Sequence, residues 1–217
     1  MIIFRNDLDD MEKRYRARLI NSLSGFKSAN LVGTADKDGN LNLSIVSSVF
    51  HIGANPPLMG MISRPHSVSR DTLENILVTE QFTLNHVDEK HYMAAHQTSA
   101  RYGRERNEFE ETGLTAAFSD GFEAPHVAES PLSIGLRLVE TQTLAVNQTV
   151  MVIGEVVWFR VAESAVQTDG YIDIESLGTV AVSGLDSYHT THRLNRLSYA
   201  KPDAELSPLD LTGARKT

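Results

Sequence analysis

Residues 132–144 (LSIGLRLVETQTL) and 149–161 (TVMVIGEVVWFRV) are two long runs rich in β-branched side chains, joined by only Ala145-Val146-Asn147-Gln148. Such side chains fit a pleated, half-buried surface, and so short a connection turns one run back along the other. The pair predicts an antiparallel hairpin and commits much of the chain to β structure. A second hairpin is read from residues 29–35 (ANLVGTA) and 41–50 (LNLSIVSSVF). Between them stands Asp36-Lys37-Asp38-Gly39-Asn40, a turn sequence whose residues tolerate positive φ. After the punctuation of Asn55-Pro56-Pro57, residues 58–63 (LMGMIS) read as a short buried strand and 81–87 (QFTLNHV) as another.

Helical patterns lie between and before these strands. Over residues 10–24, Met11, Tyr15, Leu19 and Leu23 recur every four positions, with Arg14, Arg16 and Arg18 on other faces. This predicts a surface helix that packs one apolar stripe on the core. Asp7, Asp9 and Asp10 favour its positive end, and Gly25 supplies a stop. Residues 67–80 (SVSRDTLENILVTE) predict a short helix after an irregular approach, and residues 91–129 a helical, irregular, charged stretch. Residues 173–184 fit neither pattern, and from Ala200 onward the chain reads as a tail. No repeat or linker divides the chain, so a single, mainly β, barrel-like domain with inserted helices is expected over residues 1–217.

Composition narrows the function classes. The chain has 217 residues, 41% hydrophobic and 22% charged, within the ordinary globular range. It has no cysteine, which removes disulfides, thiolate metal sites and cysteine nucleophiles. A formal charge of −8 argues against nucleic acid as a partner. Apolar stretches are all interrupted well short of the roughly 18 residues a membrane helix needs, and residues 1–10 (MIIFRNDLDD) lack a secretory pattern. A soluble, cytoplasmic protein is expected.

Two clusters carry possible chemistry. Ser44, Ser47 and Ser48 interrupt an otherwise apolar strand (Leu43, Ile45, Val46, Val49, Phe50). They either face solvent or let a flat ligand approach closely and offer it hydrogen bonds. Next comes Ser63-Arg64-Pro65-His66-Ser67-Val68-Ser69-Arg70-Asp71-Thr72, leading into a helix. Two guanidinium groups and several hydroxyls at a helix N-terminus suit a phosphate; a capping box of Asp71 and Glu74 is the alternative for part of this run. Eight histidines invite a metal, but His91 and His96 are spaced i, i+5 and point to different faces. Neither a G-x-S-x-G elbow nor a G-x-G-x-x-G or P-loop pattern occurs.

The order of these features resembles the flavin reductase-like, FMN-binding split-barrel family. The matching residues run from Leu19-Ile20-Asn21-Ser22-Leu23 through Thr34-Ala35-Asp36, Gly39-Asn40-Leu41-Asn42, Ser47-Ser48-Val49, Asn55-Pro56-Pro57-Leu58 and Ser63-Arg64 to Asp71-Thr72-Leu73-Glu74-Asn75-Ile76. They close with Gly184-Leu185-Asp186-Ser187-Tyr188 and Arg196-Leu197-Ser198-Tyr199-Ala200-Lys201-Pro202. The resemblance implies a six-stranded antiparallel split β-barrel with a core of about residues 14–202 and a tail of 203–217. It implies a homodimer that holds FMN near the subunit interface. Ser44, Ile45, Val46, Ser47 and Ser48 would face the ring and ribityl chain. Ser63, Arg64, Ser67, Arg70 and Thr72 would surround the phosphate, with Asn85 and His86 beside the ring or at the nicotinamide side. The implied activity is NAD(P)H-dependent flavin reduction, with NADH or NADPH and a small-molecule or flavin acceptor as partners. The cofactor carries that chemistry, so no catalytic side chain is assigned. The alternatives are an FMN-binding electron carrier or sensor without turnover and, from another class, a histidine metalloprotein hydrolase.

Overall fold

The computed structural model describes residues 1–66, 70–103 and 105–216. Helices α1 (Arg5–Asp10) and α2 (Lys13–Leu23) precede β1 (Lys27–Ser28), β2 (Asn30–Ala35), β3 (Leu41–Val46), β4 (Phe50–Ala54) and β5 (Pro57–Ser63). Then come α3 (Asp71–Thr79), β6 (Gln81–His86), α4 (Tyr92–Gln97), α5 (Glu108–Thr112), β7 (Ala116–Ala117) and β8 (His126–Val127). The long hairpin is β9 (Leu132–Thr143) and β10 (Val150–Val161), followed by β11 (Ala181–Ser183), β12 (Ser187–His189), β13 (Arg196–Leu197) and β14 (Pro208–Leu209).

Seven strands form one antiparallel sheet in the order β3-β2-β6-β9-β10-β5-β4. This corrects the expected six strands. The extra strand, β4, is short and mostly exposed, so it lacks the apolar alternation that marks a strand in sequence. Its chain neighbour β3 lies at the opposite edge of the sheet, yet only residues 47–49 join them. Laid flat, seven strands would place those edges about 29 Å apart, whereas the link from Val46 to Phe50 reaches about 14 Å at most. The sheet must therefore curl until its edges nearly meet, and the result is a split barrel. The split lies at residues 47–49.

Two apolar layers follow from strand alternation. Val32, Leu84, Ile134, Leu136 and Val152 fill the concave side, where α3 adds Leu73 and Ile76. Each such side chain, fully buried, contributes roughly 1.5–3 kcal/mol. On the convex side Leu31 and Leu43 pack with Ala95 of α4, Phe109 of α5 and Leu114. Gly33 must be glycine here, because a Cβ would fall 2.2 Å from the Pro125 carbonyl oxygen.

The N-terminal helix departs from expectation. The helix read over residues 10–24 is present as α2, preceded by a separate short α1, and neither buries a residue. Its stripe does not pack on the core: Tyr15 and Leu23 are exposed and Leu19 is half-exposed. Helical periodicity reports that an apolar stripe exists and says nothing of what covers it. The tail is also more ordered than expected, since β13 and β14 pair across it. Among the described residues no helix is long and apolar enough to cross a membrane.

Candidate functional site

Two of the serines singled out in the sequence, Ser44 and Ser48, make cross-strand or strand–helix contacts near the split. Ser48 Oγ donates to the Ile62 carbonyl at 2.9 Å and accepts from the Ile62 N–H at 3.1 Å. That hydroxyl thus stitches the 47–49 link to the last turn of β5, beside Ser63. Ser47 is half-exposed, and residues 47–49 lie outside the strand ladder.

A second set of contacts fixes α3 to β3. The Ser44 and Thr72 hydroxyls lie 2.8 Å apart. Asn42 Nδ2 donates to Thr72 Oγ1 at 2.9 Å and to Thr34 Oγ1 at 3.2 Å, and Asn75 Nδ2 reaches Thr34 Oγ1 at 3.2 Å. Asn42 and Asn75 belong to runs that carry the family resemblance, but their contacts, to partners 30 and 41 residues away, are not readable from spacing. The helix start also differs from the capping box considered above. Arg70, not Asp71, is the N-cap, and its N–H donates to Glu74 Oε1 at 3.1 Å. His66 Nε2 lies 3.0 Å from that oxygen. With its backbone held, Arg70 keeps a buried Nε that has no hydrogen-bond partner among the described residues. A buried guanidinium nitrogen without an acceptor is costly unless something fills the place.

The remaining candidates separate. Ser63 Oγ makes only a long 3.4 Å contact with the Arg64 carbonyl, and the Arg64 side chain is exposed. Val46 packs against the concave core, whereas Ile45 points to the convex layer. Ser67 lies outside the described residues. Asn85 is fully buried on the convex side, where Nδ2 donates to the Leu31 carbonyl at 3.1 Å and Thr83 Oγ1 at 2.8 Å. Its Oδ1 accepts from the Val127 N–H at 3.0 Å. Both amide donors are used within the protein. His86 ends β6 on the concave side, and burial pulls its pKa down to about 4, so the ring is neutral at pH 7.

One group has no counterpart among the sequence candidates. Glu108 of α5 accepts from the Leu43 N–H at 3.0 Å, covering the free edge of β3, and burial pushes its carboxyl pKa up. The long charged segment after β6 thereby reaches the strand that carries Ser44. Among the described residues no group of three or more His, Cys, Asp or Glu could hold a metal.

The family model described as "Flavin reductase like domain" matches residues 23–176. The chain belongs to that family. In a solved split-barrel protein of Shewanella frigidimarina NCIMB 400, assigned as a flavin reductase, 56% of aligned residues are identical. The match covers 92% of this chain and 100% of that one, with a TM-score of 0.89. Component B of nitrilotriacetate monooxygenase from Bacillus cereus shares the fold at 24% identity and TM-score 0.80, over 91% and 98% of the two chains. Flavoredoxin of Desulfovibrio vulgaris (Miyazaki F) does so at 24% identity and TM-score 0.68, over 83% and 92%. The split barrel described above is thus the fold of a flavin reductase-like family.

Proposed function

We propose that this protein is an FMN-dependent oxidoreductase that takes hydride from NADH or NADPH and delivers it to flavin, working as a cytoplasmic homodimer. The observation that supports the reading is the buried Arg70 Nε, which has no hydrogen-bond partner among the described residues, two positions before Thr72, whose hydroxyl meets that of Ser44. A phosphate monoester fits that arrangement: the guanidinium supplies charge-assisted donors, and the first turn of α3 adds N–H groups and the positive end of its dipole. Ser44 and Thr72 can rotate their hydroxyls toward an added acceptor without leaving each other's reach. Ser48, held by Ile62, would fix the peptides of residues 47–49 against a flat ring. Bound FMN would supply the hydride-accepting chemistry itself. The chain's part is orientation and exclusion of water, and neutral His86 would keep positive charge away from the end of β6.

An absorbance spectrum of purified protein, followed by titration with FMN, FAD and riboflavin, tests this directly. FMN should bind at least tenfold more tightly than riboflavin. Equal affinity would remove the phosphate assignment, and no binding of any of the three would overturn the function. Steady-state NADH and NADPH oxidation with free flavin as acceptor then decides the enzyme; bound FMN without turnover identifies a carrier instead.

A further inference from the structure

We propose that Glu74 is a positioning residue for phosphate recognition: its carboxylate fixes Arg70 at the start of α3 and itself stays off the ligand. The inference rests on the phosphate reading above and names the residue that keeps the guanidinium where that reading needs it.

The start of α3 is capped in an uncommon way. An N-cap residue ordinarily lends a side-chain oxygen to the N–H groups of the first turn. An arginine side chain has donors and no acceptor, and Arg70 makes no such bond. It leaves those N–H groups to other acceptors and keeps its own side chain uncommitted. Glu74 takes over the task of holding the cap. Its backbone N–H donates to the Arg70 carbonyl at 2.9 Å, and its Oε1 accepts from the Arg70 N–H at 3.1 Å. Both backbone polar groups of Arg70 are therefore bound by one residue. The bond to the side chain runs back from the fourth helical position, one further along than in a capping box. His66 Nε2 lies 3.0 Å from the same Oε1, so that one oxygen ties two residues of the approach to the helix.

Glu74 can serve as a fixed post because its helix is pinned by its neighbours. The Thr72 hydroxyl meets Ser44 and Asn42 of β3, Leu73 and Ile76 are buried in the concave core, and Asn75 reaches Thr34 of β2. Within residues 72–76, Glu74 is the one that turns back toward Arg70. On charge alone, a carboxylate beside Arg70 counts against an anion there. Its contribution to phosphate binding is therefore geometric: it holds in place the residue whose buried Nε lacks an acceptor among the described residues. An amide oxygen can accept the same two bonds without the charge, which separates geometry from electrostatics.

Titration of the full chain with FMN and with riboflavin, followed by flavin fluorescence, tests the proposal. Glu74→Ala should weaken FMN binding about tenfold and leave riboflavin affinity within about twofold. Glu74→Asp keeps the charge but falls one methylene short, so it should lose as much; it carries the same test should the alanine variant not fold. Glu74→Gln should retain FMN affinity within about threefold. In a chain that already carries Arg70→Ala, adding Glu74→Ala should cost nothing more, because the two residues act as one unit. Unchanged FMN affinity in Glu74→Ala or Glu74→Asp overturns the proposal. A parallel loss of FMN and riboflavin makes Glu74 merely structural, and a glutamine variant as weak as alanine makes its role electrostatic; either result overturns the positioning role. So does a further loss in the Arg70→Ala chain. The phosphate reading is judged separately on the unmodified protein, where equal affinity for FMN and riboflavin removes it before any variant is compared.

Discussion

Polar side chains line two parts of this barrel, and they are spent differently. On the convex side, under residues 122–130, Thr83 donates to the Pro125 carbonyl at 2.6 Å, while Asn85 uses both amide donors and accepts from Val127. Beside the split, Ser44 and Thr72 share one hydrogen bond at a half-exposed surface, and Arg70 Nε has none. The first set holds a covering segment onto the sheet. The second retains hydrogen-bonding capacity among the described residues. The convex layer also contains buried atoms without a hydrogen-bond partner among the described residues, Ser133 Oγ, Trp158 Nε1 and His126 Nδ1.

The comparison can be broken most sharply at Asn85. Replacing it with leucine strands the Val127 N–H and the Leu31 carbonyl, so stability should fall by about 3 kcal/mol or more in denaturant melts. Flavin affinity per folded molecule should not change; a selective loss of flavin would place Asn85 in the binding set. His86 has the next largest effect. Its folded pKa, about 4, lies below the unfolded value near 6.5, so the unfolded chain binds the extra proton between them. The stability from keeping the ring neutral is complete above pH 6.5 and is lost as pH falls toward 4, by up to about 3 kcal/mol. His86→Gln should flatten that slope in thermal melts taken across this range.

Arg70→Ala probes the other side. FMN affinity should drop ten- to a hundredfold, about 1.4–2.7 kcal/mol, with the melting temperature of the flavin-free protein little changed. Loss of stability with no loss of affinity would make Arg70 structural and erase the contrast. The smallest effect is expected from Ser48→Ala, at about 1 kcal/mol of stability together with a few-fold loss of flavin affinity, because its hydroxyl holds Ile62 rather than a ligand.

Much of the fold was legible before any coordinates. The β9–β10 hairpin, the β2–β3 hairpin and α3 all stand near their expected positions, because strand composition, turn residues and short connections act within a few residues. The strand β4 was missed, and the stripe of α2 was assigned to a core it never touches, because both depend on what lies opposite in space. Ser44 and Thr72 meet at 2.8 Å and Ser48 bonds Ile62, whereas Asn85 turned to the opposite face of the barrel. Alternation along β6 puts Phe82, Leu84 and His86 on one side and Thr83 and Asn85 on the other, but the inner side is chosen by pairing with β2 and β9.

The amino-acid sequence by itself determined that this chain would be a β domain with inserted helices, and its motif order was enough to point to the family. Those are local properties, written in period, turn chemistry and spacing. Only the tertiary structure decided that β3 and β4, three residues apart, belong to opposite edges of one sheet, so that a serine-rich link becomes the seam of a barrel. It also decided which polar groups stay free, since a donor's remaining capacity depends on neighbours brought from tens of residues away.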